Sequence, residues 1–457
     1  MARARTPVVF FCTVAFAAMV SATPSPPTHV AILGLGAVGR TLVLQLLSLR
    51  DRHSLGHIRL VVRALADSSA AVGVDDSHSA EIGDHGGHVL REMVRRKGEG
   101  SRLVDIQSAL LPQSRVVAPD HVLDLLDGDG GGSGRAENVI VVDCTASGKT
   151  LPVLLEARRR GFGIVLANKL PLAQSQDQFD ALVRGGMTRY EATVGAGLPV
   201  IVALQRMLNA GDTVTRVQGV FSGTLQFITN GLNAGKRFSD VVRQAYAAGI
   251  TEPDPRDDLS GADVARKILV VARTLGHRVE YSDIAVQPFL LNVSATAASE
   301  RSQRLRELSV DDFLEDGRVL QSFDRVSAAL ARAAAARGNV LRYVAVLSST
   351  AQLAVERGAG DGMGRDAGAT NASCVAGASA LPRISVGLAA IAAHSVLGRA
   401  LGGTDNLFAI SSEWYGDTPV VIQGAGAGLD LTAGALIGDI VDLATLFGAG
   451  NRQQRAG

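Results

Sequence analysis

His29 to Arg40 reads HVAILGLGAVGR, and the N-terminal third of the chain is best read outward from it. HVAIL is an apolar run of strand length, and from Arg40 to Leu49 apolar residues return at helical spacing. Between them stand Gly34, Leu35, Gly36, Ala37, Val38 and Gly39, a GxGxxG turn after a strand and before a helix, the context that gives such a turn meaning. Gly34 permits the tight turn, Gly36 lets a pyrophosphate approach the backbone, and Gly39 lets helix and strand pack closely. The free N–H groups at the helix start add a positive dipole end suited to phosphate. These six residues predict a dinucleotide site.

The neighbouring apolar runs extend the same pattern. Arg59 to Val62 (RLVV) is the expected second strand, with Leu65 where an NAD-selective site carries an acid. Arg59 and Arg63 close by lean the reading towards NADP, while Asp67 keeps NAD open. Val139 to Val142 (VIVV) is another buried strand that runs into Asp143, Cys144, Thr145, Ala146 and Ser147. Small and hydroxyl residues there lie at the carboxyl edge of a parallel sheet, where a cofactor binds, so Thr145 and Ala146 join the cofactor set. Cys144 has no histidine placed by sequence to activate it and reads as a small buried thiol. Ile164 to Ala167 is the next strand, and Asn168 and Lys169 follow it, which points a flexible cation into the same crevice. The fold class is therefore α/β, with a Rossmann-type dinucleotide-binding domain over 28–190. An α+β catalytic and dimerisation domain over 191–425 follows, and a C-terminal helix within 426–457 packs back on the first domain.

Gly249 to Lys267 reads GITEPDPRDDLSGADVARK and concentrates the charge. Pro253 and Pro255 predict a stiff extended loop, with Ser260 as the N-cap of a helix that begins near Asp263. Val264, Ile268, Leu269, Val271 and Ala272 recur at helical spacing. Asp263 and Lys267, four apart, share one helix face. Earlier, Tyr190 to Pro199 (YEATVGAGLP) reads on its residues alone as a tight, irregular loop whose carbonyls can converge near the Glu191 carboxylate. Gly424, Gly426 and Gly428 form a second glycine-rich turn, and Thr432 to Leu446 is the expected terminal helix.

Composition sets the bounds. A chain of 457 residues holds two or three cores, and a formal net charge of +1 argues against a nucleic-acid partner. Cys12, Cys144 and Cys374 make no disulfide framework or paired metal spacing. His78, His85 and His88 lie among glycines without helical spacing and read as loop histidines. Arg3 and Arg5 precede an apolar run, Val8 to Val20, within a leader over 1–27. That layout fits a signal peptide, with entry to the secretory route or a plastid, or a mis-assigned start ahead of a cytoplasmic enzyme. No other stretch reads as a membrane span. Asp127 to Arg135 and a Gly/Ala/Ser-rich stretch, Gly358 to Leu381, read as insertions, the second as a mobile loop.

From His29 to Leu446 the chain resembles the homoserine dehydrogenases. The resemblance is densest at Gly249, Glu252, Asp254-Pro255, Asp258-Leu259, Gly261, Asp263 and Lys267, and extends to Asn168-Lys169, YEATVGAGLP, Phe221 to Leu225 (FSGTL) and the 424–428 turn. It implies NAD(P)-dependent reduction of L-aspartate 4-semialdehyde to L-homoserine, with NADP expected and NAD as the alternative. Lys267 and Asp263 become catalytic residues, Glu252, Asp258 and Lys169 substrate ligands, and Lys169 and Gly428 cofactor ligands. Glu191, Val194, Ala196 and Leu198 correspond to ligands of a monovalent cation, sodium. A homodimer is expected. On this reading neither an upstream aspartokinase nor a separate C-terminal regulatory module is expected. Two other readings stay open here: an amino-acid dehydrogenase acting on a different carbonyl, and a silent dinucleotide-binding protein.

Overall fold

The computed structural model describes residues 26–49, 58–74, 87–126, 138–289, 307–315, 317–349, 382–399 and 401–456. Most of the leader, His78, His85, and the insertions at 127–135 and 358–381 lie outside the described residues.

Seven strands form the first sheet: β1 (Thr28–Leu33), β2 (Leu60–Ala66), β3 (Ala71–Gly73), β4 (Val116–Val117), β5 (Val139–Asp143), β6 (Gly163–Leu166) and β7 (Thr188–Arg189), in the order β4-β3-β2-β1-β5-β6-β7. From β2 to β7 every pairing is parallel, while β3 and β4 are antiparallel at one edge. Val30, Ala31 and Ile32, like Ile140, Val141 and Val142, are fully buried because both faces of this sheet are covered. The turn at 34–39 leads into α1 (Ala37–Ser48). A Cβ on Gly39 would stand 1.9 Å from the Gly34 carbonyl oxygen, so only glycine allows this approach. Helices α2 (Gly87–Gly98), α3 (Leu103–Leu110), α4 (Leu151–Arg159) and α5 (Gln176–Val183) complete this layer.

The second sheet has six strands: β8 (Val214–Val220), β9 (Ala285–Val286), β10 (Asn339–Ser348), β11 (Arg383–Ala392), β12 (Asp405–Ser412) and β13 (Val420–Ala425), in the order β13-β12-β8-β10-β11-β9. Its long pairings are antiparallel. Helices α6 (Val200–Asn209), α7 (Gly223–Asn233), α8 (Phe238–Ala247), α9 (Pro255–Leu259) and α10 (Ala262–Thr274) are threaded among these strands. On α10, Val264, Ile268, Leu269, Val271 and Ala272 are all buried, as their spacing predicts. Each large side chain among them contributes roughly 1.5–3 kcal/mol by leaving water.

Four expectations need correction. The stretch after Pro253 is not an extended loop. Pro255 starts α9, since the first helical position needs no N–H, and the Asp254 carboxylate caps it by accepting the Arg256 N–H at 3.0 Å. The cap position of α10 is Gly261, in the left-handed conformation with φ +75°, rather than Ser260, whose hydroxyl still accepts the Ala262 N–H at 3.1 Å. The second strand runs on to Ala66, which leaves Leu65 buried inside it and makes Asp67 the residue after it. Finally, Leu429–Ala449 is long and apolar enough to cross a membrane, with a mean hydropathy of 1.5. It belongs to the C-terminal helix Leu429–Ala456, whose residues Ala433, Leu436, Ile440 and Leu443 are buried in one core with α1 and the first sheet.

Candidate active site

The glycine turn expected to bind a nucleotide lies at the carboxyl edge of the first sheet. A Cβ on Gly36 would meet nothing within 4 Å, whereas one on Gly34 would strike Thr145 at 2.8 Å. The turn is thus tight on its inner side and open on its outer side, with the N-terminus of α1 behind it. Ala146 is exposed beside it and Thr145 half-buried. Gly428 is exposed at the start of the C-terminal helix, with φ +143°. Arg63 does not reach this edge, because its Nε donates to His29 Nδ1 at the opposite end of β1. Asp67 is near the correct edge, but its Oδ1 accepts from Ser69 and Ala70, and its Oδ2 from Leu103 N–H and the Lys97 ammonium. Burial would raise its pKa, yet these partners hold it down at about 2.

A polar knot fixes the loop that carries Lys169. Asp143, the last residue of β5, is buried; its Oδ1 accepts the Thr145 N–H at 2.8 Å and its Oδ2 the Thr150 hydroxyl at 2.7 Å. The buried Asn168 amide donates to Asp143 Oδ2 at 3.0 Å and to the Ser147 carbonyl at 2.7 Å, while its Oδ1 accepts the Leu170 N–H. Burial pushes the Asp143 carboxyl up from its ordinary range. Sequence reading gave this network no role; the one available signal was an acid closing an otherwise apolar strand, followed by hydroxyl residues. Cys144, whose Cβ lies against the 34–39 turn, is also pushed up by burial, which fits an inert thiol.

Lys169, Asp263 and Lys267 come together. Lys169 Nζ lies 2.8 Å from Asp263 Oδ1, and Lys267 Nζ lies 2.9 Å from Asp263 Oδ2. Lys267 also donates to the Phe221 carbonyl at 2.8 Å, at the end of β8. Burial raises the Asp263 pKa, but the Lys267 and Lys169 charges outweigh it and hold the carboxyl well below its usual range. The chain has only five lysines, and two of them meet here. One turn away, Asp258 is buried and its Oδ2 accepts the Glu252 N–H at 2.9 Å. Burial pushes Asp258 up to about 6, and the nearby Glu252 and Asp263 charges add to the effect. Glu252 itself is exposed. Two ammonium groups thus stand beside Glu252 and the α9 residue Asp258, a layout suited to a small zwitterion with a reducible carbonyl.

Glu191 sits apart from that group, at the start of α6. Its two carboxylate oxygens accept the Ile201 and Val202 N–H groups, each at 2.8 Å. Its own N–H donates to Asp439 on the C-terminal helix at 3.0 Å. Val194 is buried, and Leu198 packs near Gly424, which lies in β13 rather than in the expected glycine-rich turn. Among the described residues Ala196 is the one non-glycine with positive φ, at +56°. Burial raises the pKa of both Glu191 and Asp439, the latter to about 7.

Comparison with known proteins follows the same lines. Residues 199–441 match the family described as homoserine dehydrogenase. The homoserine dehydrogenase of Emericella nidulans is 30% identical over 430 residues, which covers 91% of this chain and 98% of that protein. A chloroplastic bifunctional aspartokinase/homoserine dehydrogenase 2 of Zea mays is 36% identical over 320 residues, 68% of this chain. The chain spans 30% of the length of that bifunctional relative. Among solved structures, a hyperthermophilic archaeal homoserine dehydrogenase in complex with NADPH has the same fold, with a TM-score of 0.60 at 18% identity over 92% of this chain and 98% of that one. With an open glycine turn on one sheet and a lysine–aspartate–lysine group at its edge, the chain belongs to the homoserine dehydrogenase family of NAD(P)-dependent oxidoreductases.

Proposed function

We propose that this chain reduces L-aspartate 4-semialdehyde reversibly to L-homoserine with NADPH, in the synthesis of threonine, methionine and isoleucine. The observation that carries the reading is the Asp263 carboxylate held between Lys169 and Lys267. When bound, NADPH supplies the hydride for the aldehyde carbon. Gly34 to Gly39 would hold its pyrophosphate, with Thr145, Ala146, Lys169 and Gly428 along its remaining length; the open space outside Gly36 fits such a group. NADP is preferred over NAD in this reading because the acid after β2 is already committed to its own loop and to Lys97.

The chain's own groups do the rest. Negative charge builds on the aldehyde oxygen as the carbon is reduced, and an ammonium there both stabilises it and donates the proton. Lys267 takes that role, steered by Asp263 and the Phe221 carbonyl. Lys169 orients the substrate from the cofactor side. Asp258 and Glu252 pair with the substrate's ammonium group.

Glu191 and the carbonyls of Val194, Ala196 and Leu198 would hold a sodium ion. The donor set is all oxygen, which suits a hard cation, and a buried carboxylate with a raised pKa gains from a positive neighbour. The strained Ala196 conformation fits a turn that aims carbonyls inward. A homodimer completes the proposal, and light scattering on the purified chain tests it.

The decisive assay is homoserine oxidation with NADP and with NAD, each in sodium, potassium or choline chloride. NADP-dependent turnover that sodium enhances is expected. Turnover with other carbonyl substrates but none with homoserine would move the chain to a different dehydrogenation.

A further inference from the structure

Arg273 is buried and has no part in the chemistry above. It lies in the last turn of α10, the helix whose first two turns carry Asp263 and Lys267. Its side chain is 0% exposed, and it makes hydrogen bonds in several directions. Nη1 donates to the carbonyls of Leu172 at 2.8 Å and Gln174 at 2.6 Å. Nε donates to the Val279 carbonyl at 3.0 Å, and Nη2 to Glu280 Oε2 at 3.0 Å. The other Glu280 oxygen accepts the N–H of Gln176, the first residue of α5, at 2.9 Å. The Phe179 ring covers the guanidinium at 5.6 Å.

A guanidinium taken out of water needs an acceptor for each face of its fork. Here most of those acceptors are main-chain carbonyls, and two belong to the segment that leaves Lys169. The same two stretches of chain meet a second time at the Lys169–Asp263 pair. Ten residues of α10 span about 15 Å between Asp263 and Arg273, so the pair and the guanidinium pin the segment at separate points.

We infer that Arg273 is a positioning residue: it docks the far end of α10 on residues 172–176 and thereby sets the Lys169 ammonium against Asp263. The kinetic consequence rests on the function proposed above; the placement of Lys169 does not.

Arg273→Lys keeps the charge, but its three N–H donors cannot serve three carbonyls and Glu280 at once. Glu280→Gln is the milder variant, read in the same way if the first fails to fold. In protein carrying 13C-labelled lysine, each of the five Cε signals reports the surroundings of its own ammonium. The Lys169 signal is expected to move towards that of a solvated lysine, with Lys97, Lys149 and Lys236 unchanged. Homoserine turnover should fall about 10- to 100-fold, as expected for a displaced group. In a Lys169→Ala background, Arg273→Lys should then cost nothing further. A Lys169 signal that stays in place, or losses that multiply in the double variant, overturns the inference. If the wild-type chain does not turn over homoserine, the proposed function fails and the position of the Lys169 signal alone decides the clamp.

Discussion

Lys169, which follows β6 of the first sheet, and Asp263, in the first turn of α10, meet at 2.8 Å. That contact joins the carboxyl edge of the first sheet to the helix that carries Lys267. It also makes Asp263 a stabilising carboxylate. Its folded pKa is depressed, so its contribution is present above the ordinary carboxylate range and is lost only as pH falls through the folded value.

Lys267→Ala should lower kcat about 10²- to 10⁴-fold, the usual range for a removed proton donor. Coenzyme KM should hardly change, because Lys267 bonds Asp263 and the Phe221 carbonyl rather than the 34–39 turn. Steady-state kinetics in both directions checks this; a variant that keeps most of its turnover removes Lys267 from the role.

Asp258 predicts a pH limb. Burial raises its pKa to about 6, so below that pH the carboxyl is neutral and cannot pair with an ammonium group. The kcat/KM for homoserine should rise with pH through about 6 and then level. Asp258→Asn should raise KM and flatten that limb. A limb that persists unchanged in the variant belongs to another group.

The Glu191–Asp439 contact predicts the opposite of a stabilising salt bridge. Asp439 is raised to about 7 by burial, so its ionisation costs stability as pH climbs from the ordinary carboxylate range through about 7. Asp439→Asn retains an oxygen for the Glu191 N–H and removes the charge. Thermal unfolding should show the variant gaining on the wild type as pH rises from about 4 to about 7 and then levelling, by about a few kcal/mol in all, with little difference near pH 4. Equal pH profiles would mean that Asp439 ionises without penalty.

Gly261→Ala should be severe for its size. A Cβ there would lie 2.0 Å from the Tyr343 hydroxyl, in a backbone with φ +75°. Strain of about 1–3 kcal/mol is expected, together with a lower kcat, since the first turn of α10 carries Asp263. Urea unfolding and kinetics on one preparation measure both. An unfolding midpoint like the wild type's would show that the turn yields.

Much of this was legible in residue order. The β1–turn–α1 unit can be read because its apolar run and its glycines are local, each acting on its immediate neighbours. The α10 stripe from Val264 to Ala272 can be read for the same reason, since a helix face depends only on spacing. Pro255 misled the local reading: the ring forbids a helix interior but suits a first helical position, and the Asp254 cap settled which applied. Leu65 misled it too, because the end of a strand is set by pairing with β1, where Leu33 faces Ala66.

What residue order determined was the set of groups: an open glycine turn, two lysines, and acids on a short loop. The tertiary structure decided which of them act on one another. Arg63 turned back to His29, Asp67 was taken up by Lys97 and its own loop, and Lys169 met Asp263 across two sheets. The physical reason is that charge interactions and hydrogen bonds depend on distance through space, which chain packing sets and no spacing along the sequence contains.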